Sequence, residues 1–179
     1  MSRSVLTIIV FFFLVVLASS SHTVGGQEKG VAPPAPVPTQ IFTAKNVFIS
    51  NGGLDGIALQ TFRKLGDVDQ PYNAFYAAMK EWGKYTLVFS PAEADLVLEI
   101  RFKAPFNGDK HVPSYAPQCN LTIYDAKTRF VLWTMLEPVE GAFRKDTFIR
   151  NVNQGIGSLI ADLKNLQGRA GNFAPDPAK

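Results

Sequence analysis

The side chains that most often carry covalent, acid–base or metal chemistry are scarce in this chain. There are two histidines, His22 and His111, and one cysteine, Cys119. None has a partner at a spacing that forces a mechanism. The sequence holds no HExxH pair for zinc, no GxSxG nucleophile turn, no CxxC and no Walker-type phosphate loop. Cys119 alternates with apolar neighbours, which predicts a buried, inert thiol rather than a nucleophile. Asp67 and Asp69 lack the remaining ligands of a calcium loop and read as a solvated turn. Asn120-Leu121-Thr122 matches a glycosylation sequon by chance, since it falls within a strand. No cofactor and no metal are therefore expected. A catalytic alternative needs residues that meet only in the fold, and its natural form is a hydrolase site around His111 with Asp109 or Asp125.

The segment most able to do something is a loop. Residues 104–118 exceed an ordinary connection and carry Pro105, Phe106, His111, Pro113, Tyr115 and Pro117. Phe106, His111 and Tyr115 are the candidate binding residues. The loop is either a contact surface or a cover over one side of a sheet.

Charge narrows the partners. The formal net charge is +3, of which Arg3 supplies one unit. That surplus is too small for a nucleic-acid footprint. Around Arg3 the chain has the order of a secretory leader: a positive residue, the apolar run Val5 to Ala18, then Ser19, Ser20 and Ser21. The run is shorter than the ~20 residues that span a bilayer, so a signal peptide over 1–21 is expected, and a membrane association only if it stays uncleaved as the anchor of an assembly subunit. Ser20 stands where a lipoprotein box needs cysteine. The expected location is periplasmic or secreted, and with one cysteine the domain is held by packing, without an internal disulfide.

The elements that must position these residues are short. Residues 22–40 are rich in Gly and Pro and read as a spacer; 41–168 is one domain, and 169–179 a frayed tail. Lys45 to Ser50 predicts a first strand closed by a turn at Asn51-Gly52-Gly53. Residues 54–70 are ambiguous. Pro71 opens a helix whose face carries Tyr72, Phe75, Met79 and Trp82 and which stops at Gly83. Tyr85 to Phe89 is a second strand. In the third, Leu96, Leu98, Ile100 and Phe102 face inward, against Val97, Glu99, Arg101 and Lys103 outward. Cys119, Leu121 and Ile123 repeat the alternation, and a hairpin at Asp125 to Thr128 leads into Phe130 to Leu136. A last helix begins near a cap at Asp146, with Phe148, Val152, Ile156, Leu159, Leu163 and Leu166 on its apolar stripe, close-packing glycines at Gly155 and Gly157, and its end at Gly168. The fold expected is α+β: a single mixed, mostly antiparallel sheet of about five strands with two helices on one face. Val97, Tyr124 and Trp133 are left on the other face, with loop 104–118 expected to cover them.

The blocks Pro71-Tyr72-Asn73-Ala74-Phe75-Tyr76, Pro91 to Val97 and Leu121 to Asp125, with Lys127-Thr128 and Leu132-Trp133, resemble a family of uncharacterised secreted proteins from acidobacteria. The order of strands and helices is similar in architecture to the amino-terminal domain of TolB and to CsgG-type envelope domains. The resemblance implies no catalytic residues. The lack of any site motif, with a leader and spacer that tether the domain, predicts an exported, non-catalytic envelope domain that binds a protein or glycan partner, of unspecified oligomeric state.

Overall fold

The computed structural model describes residues 35–108 and 114–169. The expected leader 1–21 with His22, most of the spacer, Asp109 and His111 of the loop, and nearly all of the tail lie outside the described residues.

The chain begins with a short helix α1 (Gln40–Thr43) and strand β1 (Asn46–Leu54). Helices α2 (Gly56–Leu65) and α3 (Gln70–Trp82) follow, then β2 (Thr86–Val88) and a 3-10 turn at Pro91–Glu93. β3 (Leu96–Lys103), β4 (Gln118–Asp125), β5 (Val131–Pro138) and the long helix α4 (Lys145–Gly168) complete it. The strands form one open mixed sheet in the order β2-β1-β3-β4-β5. β1 runs parallel to both β2 and β3, whereas β4 pairs antiparallel with both β3 and β5. The fold is α+β with a mixed five-stranded sheet, as the alternation of apolar residues implied, but the described residues form four helices where two were expected, and half of the strand pairings are parallel, so the sheet is not mostly antiparallel.

Local chemistry explains each boundary. Asp55 caps α2, its carboxylate accepting the N–H of Ala58 at 2.8 Å, so the ambiguous stretch is helical. Pro71 sits in the first turn of α3 and Gly83 ends it in the left-handed conformation, φ 65°. Asn51-Gly52-Gly53 does not turn, and β1 runs through it. A Cβ at Gly52 would lie 2.8 Å from Glu99 Cγ, so glycine is what lets β1 press against β3 there. Asp146 lies in the first turn of α4, behind Arg144 at the cap position, and is not the cap itself. Gly155 does close-pack, since its Cβ would meet Val139 Cγ2 at 2.8 Å, but Gly157 has nothing within 4 Å.

The core lies between sheet and helices. Leu96, Leu98, Ile100 and Phe102 of β3 and Cys119, Leu121 and Ile123 of β4 are at most 1% exposed. Phe62 of α2 meets Phe102 and Phe148 edge to face, with ring centroids 5.0 and 4.9 Å apart, which fastens α2 and α4 to the same strand. The core also reaches past Ile41 to Val37, in the stretch read as spacer. Near the end of α4, Gln167 donates to the carbonyl of Ile41 at 3.1 Å and to the Tyr85 hydroxyl, joining the last helix to α1 and to the start of β2.

Candidate functional site

Alternation along each strand sends every second side chain away from the helices, and strand pairing arranges these into rows across the exposed face. Val88, Phe48, Val97, Tyr124 and Val131 are successive partners across all five strands. The next row is polar: Ser50, Glu99, Thr122 and Thr134. Beyond it Arg101 pairs with Asn120 and Asn120 with Leu136, and Lys103 pairs with Gln118.

Two shallow concavities lie on this face. One, of about 400 Å³, is walled by Phe48, Val97 and Tyr124 of the apolar row together with Pro91 and Arg129. The other, of about 340 Å³, is walled by Arg101, Lys103, Asn120, Thr122 and Thr134. Glu99 and Tyr124 line both, so the hollows adjoin. Three cations and one carboxylate therefore face the groove. Arg101 stands 3.5 Å from Glu99, an ion pair that cancels the carboxylate and leaves the balance positive. Asn120 Oδ1 is buried, with no hydrogen-bond partner among the described residues, and an orphaned acceptor of this kind carries a desolvation cost until a donor reaches it. Arg129 is the one described non-glycine residue at positive φ, 65°, and it lies on the groove wall.

Of the residues singled out in the sequence, His111 lies outside the described residues, and Phe106 and Tyr115 lie away from the two hollows. Phe106 and Tyr115 pair across the base of a hairpin-like loop, with ring centroids 5.8 Å apart and Asn107 N–H donating to Ser114 O at 2.8 Å. Both are exposed, at 57% and 45%. No described residue of the loop lines either hollow, so among the described residues the loop does not cover Val97 and Tyr124. The loop leaves the sheet at Lys103 and returns at Gln118, whereas Val97 and Tyr124 lie near the other end of their strands. Trp133 also departs from expectation. It pairs with Ile123 and lies beside Asp162 and Leu166 of α4, on the helical side. The cause is a register shift between Ile123 and Tyr124, which reverses the phase of β5.

Of the catalytic alternative, His111 and Asp109 lie outside the described residues, and Asp125 is the member that the structure places. The Asp125 carboxylate accepts the N–H groups of Lys127 and Thr128 at 2.9 and 2.7 Å, which hold its pKa below the ordinary range and commit it to the hairpin. Burial pushes the Cys119 thiol up to about 12, with Glu137 adding to the rise, so it is protonated and unreactive at neutral pH. Asp67 accepts the Asp69 N–H at 3.1 Å and Asp69 accepts from the Asn51 amide at 3.2 Å, a local turn as expected.

No protein-family model matches the chain, and no curated protein matches it in sequence. Among solved structures it is similar to a DUF4136 family protein from Bacteroides thetaiotaomicron, 9% identical, with 72% of this chain and 91% of that chain covered and a TM-score of 0.45. It is also similar to PelC from Paraburkholderia phytofirmans, solved as a dodecamer, 11% identical, covering 75% and 94%, TM-score 0.41. A third is lipoprotein GNA1162 from Neisseria meningitidis, 12% identical, covering 68% and 99%, TM-score 0.37. At these scores no role passes from them to this chain.

What the residues alone did not bring out is the groove. Val97, Glu99, Arg101, Lys103, Asn120, Thr122 and Tyr124 were legible as outward-facing, but Phe48, Ser50, Thr134 and Arg129 join them only through the strand order.

Proposed function

We propose that this chain is an exported, non-catalytic recognition domain of the bacterial envelope, and that the open face of its sheet holds the partner. The single observation that carries the reading is the continuous groove across that face, in which an apolar row adjoins polar rows and Asn120 keeps a buried acceptor without a donor. An apolar strip beside convergent polar groups is the composition of a binding surface. The leader-like sequence at 1–21 supports a periplasmic or secreted location, and the resemblance to secreted acidobacterial proteins supports the same. A protein or a glycan fits the reading, and nucleic acid does not.

The test is sedimentation of the purified chain with an isolated envelope fraction. The wild-type chain is expected to co-sediment, and Tyr124→Ala, which removes the ring shared by both hollows, to stay in solution. Equal retention of the two proteins, or turnover of hydrolase substrates by the purified chain, overturns the proposal.

A further inference from the structure

The groove has a chemistry that names its occupant more closely than "partner". Its rim cations Arg101, Lys103 and Arg129 face a single carboxylate, Glu99, which Arg101 already neutralises at 3.5 Å. An anionic ligand is therefore favoured and a cationic one repelled. The row of Ser50, Thr122 and Thr134 presents hydroxyls that both donate and accept hydrogen bonds. Asn120 Oδ1, buried and unpaired, asks for a donor. Tyr124 and Phe48, on either side of Val97, offer two ring surfaces, apolar bodies against which C–H groups pack.

An acidic sugar polymer meets all of these at once: carboxylates for the cations, hydroxyl donors for Asn120, hydroxyls for the Ser/Thr row, and an apolar ring face for the aromatics. We infer that the open sheet face binds a carboxylated oligosaccharide, with Arg101 and Lys103 contacting carboxylates and Asn120 accepting from a sugar hydroxyl. An acidic peptide supplies the charge but offers one N–H donor per residue along a thin backbone. It matches the hydroxyl row and the ring surfaces less fully.

The inference rests on the recognition reading above, and its test separates the two. Calorimetric titration of the purified chain would compare three probes: a six-residue oligomer of galacturonic acid, the neutral cellohexaose, and a hexaglutamate peptide. The acidic sugar is expected to bind at least about tenfold more tightly than either of the others, and to weaken as salt rises. Arg101→Gln and Lys103→Gln are each expected to lower its affinity severalfold. Asn120→Leu is the decisive variant. It removes an orphaned acceptor, so the thermal midpoint should hold or rise, while affinity for the acidic sugar falls about tenfold. If Asn120→Leu binds as wild type does, the ligand role of Asn120 is wrong. If cellohexaose binds equally well the charge argument fails, and if hexaglutamate binds more tightly the occupant is a peptide. If no probe binds while envelope retention still depends on Tyr124, the sugar inference falls and the recognition reading stands. If retention is also lost, both fall.

Discussion

Asp55 Oδ2 accepts the backbone N–H of Ala104 at 2.6 Å, while its other carboxylate oxygen caps α2 through Ala58. One side chain thus fixes both the start of a helix and the point where the long loop leaves β3. Asp55→Ala removes a cap and strands a partly buried donor, and should cost about 1 to 3 kcal/mol. Urea denaturation reads this as a lower midpoint with an unchanged slope. Limited proteolysis should cut the loop beyond Ala104 faster in the variant. A variant as stable and as resistant as wild type would show that the contact holds nothing.

Glu137 of β5 titrates above its ordinary 4.5, chiefly because it is desolvated, then because it shares a hydrogen bond with Asp162 and feels its charge. The folded state therefore favours the protonated acid more than the unfolded chain does. Its contribution to stability is fully present below the ordinary glutamate range, and is lost as pH rises through the raised value. Glu137→Gln keeps the shape without the charge. Its melting temperature should exceed that of wild type at pH 7, and the gap should close near pH 4; a gap that widens on acidification would reverse the assignment.

Arg129 holds a left-handed backbone conformation, φ 65°, at the end of the hairpin between β4 and β5. A side chain there costs about 1 to 2 kcal/mol that glycine avoids, although glycine gives back part of this through its more flexible unfolded chain. Arg129→Gly should raise stability by about 0.5 to 1 kcal/mol and at the same time weaken the acidic sugar. A variant that is less stable than wild type would mean that the guanidinium makes folded-state contacts worth more than the strain.

Phe62 is fully buried and touches Phe102 and Phe148 at once. Phe62→Ala should cost about 3 to 5 kcal/mol, because no neighbouring element can close on the cavity without breaking the other ring contact. Thermal denaturation followed by circular dichroism measures it, and a loss below about 1 kcal/mol would indicate that α2 relaxes into the space.

Legibility followed patterning. β3 was readable because its alternation is strict, and α4 because six apolar residues keep helical spacing over most of its length. β5 was harder. Phe130 to Leu136 is apolar on both phases, so nothing in its own residues says which way Trp133 points, and the register shift opposite Tyr124 decides it. Asn51-Gly52-Gly53 has the composition of a turn, but the close approach of Glu99 that makes glycine necessary at 52 is a contact between strands 47 residues apart in sequence. The groove failed to show for the same reason: its walls come from β1, β3, β4 and β5 and acquire a common face only once the sheet order is known. The loop drew attention because Phe106, His111 and Tyr115 lie within one stretch of sequence, whereas the groove's residues come from four strands.

The bond from Gln167 to Ile41 has a mechanical consequence. The described residues enter the core at Val37 and Ile41, and the last helix ends at Gly168, one residue beyond Gln167, so the two ends of the described residues meet at one place on the helical side of the sheet. A pull between them loads α1 and the end of α4 and largely bypasses the five strands. Tension carried through the termini would peel the terminal helices first, and the face that holds the groove would keep its shape until they gave way.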